Sequence, residues 1–263
     1  MKDSQSITSR SNPKVKELLE LKKSKDYFFV EGYRIIEEIL KTGLSPFELI
    51  FTPEAGQNTI TLQAKSNASN YTALSRQVFD KISDTREPQG LAAFFKKPAH
   101  DINKMLKTSG KHGIFLLLHE VQDPGNLGTI FRTARAGGVS GIFLTNKSVS
   151  LTNTKTIRAS MGSIFTVPFV ENIELNNAIS YLKNSNITIA AADIKSDIEL
   201  FKSGYKLPVC FVLGSEAHGL PVEVFQKADV VLKIPMVNQI ESLNLSVSAA
   251  VLIYDAVRRF NPS

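Results

Sequence analysis

Three segments far apart in the chain carry polar residues that could bind and activate an anionic substrate. They are Asn126–Ala134 (NLGTIFRTA), Leu213–Leu220 (LGSEAHGL), and Ile234–Met236 (IPM) followed by Ser242–Ser246 (SLNLS). Each joins an apolar run to a polar or glycine-bearing turn and then to a helix-like stretch. In an open α/β sheet such turns gather in one cleft at the strand ends. The Arg, Glu, Asn and Ser side chains that meet there predict chemistry on a polar, anionic substrate.

Individual residues of these segments suit that chemistry. Asn126 is placed to cap a helix by accepting from a backbone N–H two or three residues on. Gly128 lets a ligand approach the backbone closely, and the Arg132 guanidinium offers a fork of donors to a phosphate or a developing alkoxide. Capping alone and an ordinary surface arginine are the alternative interpretations. Ser242 and Asn244 begin the last helix, so we expect one to cap it and the other to point into the cleft.

Other chemistries lack the required spacing. Ser215 and His218 share a loop without the G-x-S-x-G order of a nucleophile elbow, and His218 is typical of a solvent-facing loop residue. The four histidines show no metal-ligand spacing, so we predict no metal site. Gly137–Gly141 lacks the G-x-G-x-x-G order of a dinucleotide site and indicates a tight turn. Pro235 should end the hydrogen bonding of its strand and leave backbone groups available to a ligand.

Composition narrows the class of protein. A chain of 263 residues exceeds the roughly 100–200 residues of one domain, which predicts two domains. The net charge of +6 fits a polyanionic partner. The lone cysteine, Cys210, is predicted to be a buried apolar residue and favours a reducing compartment. With no signal-peptide core and no apolar run near the ~20 residues that cross a bilayer, we expect a cytoplasmic protein. The lysines of residues 1–25 indicate either a solvated helix face or a surface that follows phosphates.

Alternating strand-like and helix-like runs predict an α/β fold, with parallel pairing and helices on both sheet faces in the C-terminal part. We expect an α/β domain at 1–100, a polar linker at 101–112 and a second domain at 113–263. The predicted strands are Tyr27–Val30, Phe47–Phe51, Leu91–Phe95, Ile114–Leu118, Gly141–Leu144, Phe165–Val170, Ile187–Ala192, Val209–Leu213 and Val230–Ile234. The first predicted helix begins at Asn12–Pro13. The other predicted helices are Gly32–Leu40, Leu127–Ala136, Thr154–Met161, Leu175–Leu182, Pro221–Gln226 and Leu243–Arg259.

Together the three segments resemble the SpoU (TrmH-like) family of RNA ribose 2′-O-methyltransferases in the SPOUT superfamily. The resemblance covers residues 108–263 and includes Arg158–Gly162 (RASMG) followed by Pro168. Around Ser11–Lys16 and Phe29–Gly32, the N-terminal part resembles the family's substrate-binding domain, which is related to a ribosomal-protein RNA-binding fold. The resemblance implies a C-terminal parallel-sheet domain with a deep trefoil knot, S-adenosylmethionine as cofactor and a homodimer.

The same resemblance implies the roles of particular residues. Arg132 would bind the adjacent phosphate and help to form the alkoxide, while the other catalytic positions orient it or hold the loop. The implied catalytic residues are Asn126, Arg132, Glu216, Ser242 and Asn244. The implied cofactor-binding residues are Thr145, Leu213, Gly214, Gly219, Ile234, Met236 and Leu243. Ribosomal RNA is the expected substrate, and a transfer-RNA methyltransferase or a non-catalytic ribosome-assembly factor is the alternative. The target nucleotide, and the choice between naked RNA and a ribosomal particle, stay open.

Overall fold

The computed structural model describes residues 6–238 and 242–260, which form two compact units. Unit 1 comprises the described residues up to Pro98 together with Leu151–Phe165, and unit 2 comprises Ala99–Ser150 and the described residues from Thr166 onward. The strands are β1 (Tyr27–Glu31), β2 (Glu48–Phe51), β3 (Asn70–Ala73), β4 (Leu91–Lys96), β5 (Ile114–Leu118), β6 (Gly141–Thr145), β7 (Phe169–Ile173), β8 (Thr188–Ala192), β9 (Val209–Leu213) and β10 (Val230–Leu232). The helices are α1 (Pro13–Lys23), α2 (Tyr33–Leu40), α3 (Thr59–Asn67), α4 (Arg76–Ile82), α5 (Ile102–Thr108), α6 (Pro124–Ala136), α7 (Thr154–Ser160), α8 (Leu175–Asn184), α9 (Val222–Lys227) and α10 (Leu245–Phe260).

Unit 1 has a four-stranded sheet in the order β1-β4-β2-β3. β4 runs antiparallel to both of its neighbours, and β2 runs parallel to β3. Asn12 caps α1 by accepting from the backbone N–H of Lys14 at 2.9 Å, and Pro13 occupies the first turn, as predicted. The sequence pattern does not predict β3, α3 or α4. α3 buries only Thr61 and Ala64, so it shows no stripe of large apolar residues, and β3 exposes Asn70 and Tyr71 at the sheet edge.

A segment from the second half of the chain belongs to unit 1. α7 packs on β1, and the ring of Phe165 meets the rings of Phe28 and Phe95 edge-on, with centroids 5.0 and 5.4 Å apart. The predicted second domain, 113–263, therefore differs from unit 2. The segment Leu151–Phe165 lies within the predicted domain, but its apolar side chains are buried in unit 1. The predicted strand Phe165–Val170 is displaced for the same reason, since Ser163–Phe165 forms a 3₁₀ turn and the strand starts at Phe169.

The polar stretch 101–112, expected to be a linker, is a packed part of unit 2. Asp101 caps α5 by accepting from the backbone N–H of Lys104 at 2.7 Å. Ile102, Met105 and Leu106 lie on one helix face and join the core of unit 2. The linker prediction is wrong because these three apolar residues have helical spacing among polar neighbours.

Unit 2 has a six-stranded, fully parallel sheet in the order β10-β8-β9-β5-β6-β7, which confirms the predicted α/β class and parallel pairing. Phe115 and Leu117 pack with α5 and α8 on one face, while Leu116 between them is also fully buried. Cys210 is buried in the same core, as predicted. Among the described residues, no helix combines the length and apolar character needed to cross a bilayer.

Candidate active site

Unit 2 contains a cleft where the loops after β8, β9 and β10 meet the start of α10. Its empty volume is about 940 Å³, including the part open to solvent. Parallel strands end at one edge of the sheet, which explains why stretches distant in sequence meet here. The lining residues are Ala192, Asp193, Ile194, Leu213, Gly214, Ser215, Glu216, Gly219, Leu220, Phe225, Leu232, Lys233, Ile234, Met236, Ser242, Leu243, Leu245 and Ser248.

The loop after β9 is a tight turn that only glycine permits. The backbone N–H of Gly219 donates to the carbonyl of Ser215 at 2.9 Å, and Gly219 has a φ of +67°. A Cβ on Gly214 would lie 2.2 Å from the carbonyl of Gly219, closer than non-bonded atoms approach. The turn leaves Glu216 and His218 exposed at its tip, as expected for His218.

A chain of hydrogen bonds joins three of the predicted catalytic residues. Asn126 Nδ2 donates to Glu216 Oε1, and Asn244 Nδ2 donates to Asn126 Oδ1 at 3.0 Å. Asn244 Oδ1 in turn accepts from the backbone N–H of Ser246 at 2.9 Å and from its hydroxyl at 2.6 Å, so Asn244 caps α10. The cap fixes which side of the Asn244 amide faces Asn126, and this fixes the orientation of the Asn126 amide toward Glu216.

Asn126 does not cap α6, contrary to the prediction. Asp123 is the cap, and its Oδ1 accepts from the backbone N–H of Asn126 at 2.7 Å, while Pro124 opens the helix. Asp123 supplies the cap that the sequence analysis assigned to Asn126, and Pro124 adds the backbone angle suited to a first helical position. The side chain of Asn126 is therefore available for the contacts to Glu216 and Asn244.

Two further polar residues, Arg132 and His119, differ in their surroundings. Arg132 is exposed on α6, lies outside the cleft and has no hydrogen-bond or ion-pair partner among the described residues. His119 follows β5, and its backbone N–H donates to the carbonyl of Leu213 at 2.9 Å. Burial lowers the pKa of His119. Within 6–238 and 242–260, no group of His, Cys, Asp or Glu side chains is arranged to hold a metal ion.

The sequence matches the SpoU rRNA Methylase family over residues 113–254. The chain belongs to this family. A second match, to the MRM3-like substrate binding domain, covers residues 12–93 within unit 1.

Relatives of the SpoU rRNA methylase family resemble the chain along most of its length. It is 30% identical over 253 residues to the 23S rRNA (guanosine(2553)-2′-O)-methyltransferase RlmP of Bacillus subtilis, covering 94% of this chain and 97% of RlmP. It is 30% identical over 216 residues to the 23S rRNA (guanosine-2′-O-)-methyltransferase RlmB of Xylella fastidiosa, covering 78% and 86%. The crystal structure of an AdoMet-bound rRNA methyltransferase from Sinorhizobium meliloti superposes with a TM-score of 0.84 at 27% identity, covering 98% and 99%.

In this SpoU-family chain, most of the expected cofactor-binding residues lie together. Those that line the cleft are Leu213, Gly214, Gly219, Ile234, Met236 and Leu243, joined by Glu216 and Ser242 from the catalytic set. Thr145 lies elsewhere, with its buried hydroxyl bonded to the turn after β5. Sequence reasoning missed Asp193, Phe225 and Lys233 of the lining. The position of Asp193 directly after the buried strand β8 is the signal that could have identified it.

Proposed function

We propose that this protein transfers a methyl group from S-adenosylmethionine to a ribose 2′-hydroxyl of ribosomal RNA. The observation that carries the proposal is the cleft, which gathers six expected cofactor-binding residues beside the Asn126–Glu216–Asn244 network. The cofactor supplies an electrophilic methyl group when it is bound. An rRNA substrate also agrees with a cytoplasmic location and with the net charge of +6.

The lining of the cleft fits such a cofactor. Apolar side chains such as Leu220, Phe225 and Leu243 suit a purine ring, and the Asp193 carboxylate suits ribose hydroxyls or an ammonium group. The close packing of Gly214 on Gly219 brings backbone groups to the wall of the cleft, where they can bind polar atoms. The donor set is therefore mixed apolar and polar, as usual for nucleoside sites.

Different residues would bind, orient and activate the ribose 2′-hydroxyl. The Arg132 guanidinium would bind the phosphate next to the target ribose and stabilise the oxygen as its proton leaves. Asn126 and Asn244, held by their mutual hydrogen bond, would orient the sugar, with Ser242 at the edge of the cleft. Glu216 holds the Asn126 amide in place. Most of the rate enhancement then comes from positioning and electrostatics rather than from covalent chemistry.

Arg132→Lys tests the role of the paired N–H donors of the Arg132 guanidinium. Lysine keeps the charge but loses the paired donors, so we expect transfer of tritiated methyl from S-adenosylmethionine to rRNA to fall by tenfold or more. Calorimetric affinity for S-adenosylmethionine should change less than twofold, because Arg132 lies outside the cleft. Normal turnover of the variant would refute the role of Arg132. Wild-type transfer to transfer RNA alone would replace rRNA as the substrate, and cofactor binding without transfer to any RNA would favour the assembly-factor alternative.

Unit 1 is proposed to hold the RNA, and α1 contributes little to that. Its lysines are mostly paired, with Lys14 3.0 Å from Glu48, Lys22 2.7 Å from Asp84 and Lys23 2.9 Å from Glu20. Lys2, also counted in the basic N-terminal stretch, lies outside the described residues. Of the two interpretations of this basic stretch, a solvated helix face and a phosphate-binding surface, the ion pairs therefore favour the solvated face.

A polar depression in unit 1, with an empty volume of about 560 Å³ including the part open to solvent, is the better RNA contact. It is lined by Tyr33, Thr52, Glu54, Ala55, Arg76 and Gln89. Gln89 Oε1 accepts from the backbone N–H of Tyr33 at 3.0 Å, which holds the rim at the start of α2. The Tyr33 ring and the Gln89 carboxamide suit an unstacked base. The Arg76 Nε donates to Asp80 at 2.9 Å, so only the remaining N–H groups of this guanidinium are offered to a phosphate.

The double variant Tyr33→Ala, Arg76→Ala tests this contact. We expect KM for rRNA to rise severalfold with kcat little changed, and filter binding should weaken in parallel. The matched control is Lys16→Ala, Lys25→Ala, which removes two exposed cations outside the depression. A larger rise in KM in the control than in the depression variant would contradict the assignment.

We further propose the deep trefoil knot and the homodimer that the family resemblance implies. For the dimer, the support on this chain is an apolar stripe on α10, where Val247 and Tyr254 are 47% and 51% exposed two helical turns apart. Val247→Asp, Tyr254→Asp should yield a monomer in analytical ultracentrifugation if this stripe is the dimer surface. A wild-type protein that sediments as a monomer would contradict the dimer.

A further inference from the structure

The turn between β5 and α6 adopts a costly backbone conformation. Glu120 has a φ of +52°, and Lys147 in the facing turn after β6 has a φ of +65°. Each non-glycine residue in the left-handed region costs on the order of 1–3 kcal/mol and persists only where its surroundings hold it. Such strain is typical of segments that position functional groups.

The hydroxyl of Thr145 is the buried centre that holds this turn. Thr145 Oγ1 accepts from the backbone N–H of Glu120 at 3.1 Å and lies 3.1 Å from His119 Nδ1. The hydroxyl also lies 3.3 Å from the carbonyl oxygen of Asn146, to which it can donate, and His119 Nδ1 can then donate to Oγ1. One hydroxyl thus satisfies two groups of the strained turn at the point where it leaves the sheet.

Further contacts join the two facing turns. Gln122 Nε2 donates to the carbonyls of Glu120 and Lys147, at 3.1 and 2.7 Å. The backbone N–H of Val149 donates to the carbonyl of Val121 at 2.8 Å, and the Glu120 carboxylate lies 3.2 Å from Lys147 Nζ. The turn is therefore fixed on both of its sides before Asp123 begins α6.

We propose that Thr145 is a positioning residue for methyl transfer, which acts through the Glu120 turn to set where α6 presents Asn126. Asp123 follows the turn directly and bonds the backbone N–H of Asn126, so a displacement of the turn is passed to the first turn of α6. Catalytic rates are sensitive to shifts of about 1 Å in such groups. This inference rests on the proposed function, and it replaces the expected cofactor contact of Thr145, which does not line the described cleft.

Thr145→Val tests the proposal, because it keeps the shape of the side chain and removes the hydroxyl. We expect kcat for rRNA methylation to fall about tenfold, with the Kd for S-adenosylmethionine and the KM for rRNA changed less than twofold. Thr145→Ser restores the hydroxyl and should recover most of kcat. Thr61→Val is the matched control, since Thr61 is also buried but its hydroxyl has no described partner; it should leave all constants unchanged.

Gln122→Met provides a second variant at an exposed position in case Thr145→Val folds poorly. It removes both side-chain bonds between the turns and should lower kcat in the same way. A kcat for both variants within twofold of the wild type overturns the proposal. A raised Kd for S-adenosylmethionine with an unchanged kcat in Thr145→Val overturns it in favour of a cofactor contact. Failure of the proposed function is distinct, because the wild-type protein would then transfer no methyl group to rRNA.

Discussion

Asn126→Asp probes the hydrogen-bond chain with almost no change of shape. The amide of Asn126 now donates to the Glu216 carboxylate, and the substitution replaces that donor with a second carboxylate. The lost hydrogen bond is worth about 0.5–1.5 kcal/mol at this exposed site, where water screens the carboxylate. Two like charges about 3 Å apart add roughly 1–3 kcal/mol if the effective dielectric constant of this exposed site is about 40–80. Where this geometry is needed in the transition state, the middle of the summed range, about 3 kcal/mol, corresponds to about a hundredfold loss at about 1.36 kcal/mol per tenfold.

We therefore expect kcat of Asn126→Asp to fall about a hundredfold at pH 8, measured as tritiated-methyl transfer to rRNA. Repulsion between the carboxylates favours uptake of one proton by the pair, and a neutral carboxyl can donate again. The ratio of variant to wild-type kcat should thus rise about tenfold between pH 8 and pH 6.

Two further variants make this result specific. Asn126→Ala cannot regain a donor, so its ratio to the wild type should stay flat with pH. Asn58→Asp makes the same chemical change at the cap of α3, where a carboxylate also accepts from the backbone N–H of Ile60, and it should be neutral. Parallel pH profiles for Asn126→Asp and Asn126→Ala would refute the reasoning.

The remaining predictions concern the cleft and the stability of unit 2. Gly214→Ala should abolish calorimetric binding of S-adenosylmethionine, because its Cβ would lie 2.2 Å from the Gly219 carbonyl; unchanged affinity would show that the turn can open. Tyr205→Phe should lower the free energy of unfolding in urea by about 1–2 kcal/mol, since the Tyr205 hydroxyl donates to buried Asp255 at 2.8 Å. Burial lowers the pKa of His119 in the folded protein. At pH values just below the ordinary histidine pKa near 6.5, the unfolded chain therefore binds more protons than the folded chain. The free energy of unfolding should therefore fall as pH drops through that interval. His119→Gln should reduce the slope, and part of it should remain because burial also lowers the pKa of His100.

The sequence determined the elements of unit 2 well, because buried parallel strands are continuous apolar runs that need no partner information to recognise. Val209–Leu213 and Ile114–Leu118 have the bounds predicted for them. The predictions were wrong where the burial of a residue depends on segments that are distant in the sequence. The stretch 101–112 is polar in composition, yet Met105 and Leu106 are buried by the sheet, and composition alone cannot show which face a neighbour covers.

For the candidate site, the polar residues of the three segments and the family resemblance they carry selected Asn126, Glu216 and Asn244, and hydrogen bonds join these three in the structure. Only the tertiary structure decided how they interact. Asp123 takes the cap that the sequence argument gave to Asn126, and Thr145 bonds the strained Glu120 turn instead of lining the cleft. Hydrogen-bond partners depend on distances of a few tenths of an ångström between segments about a hundred residues apart, which local patterns do not encode.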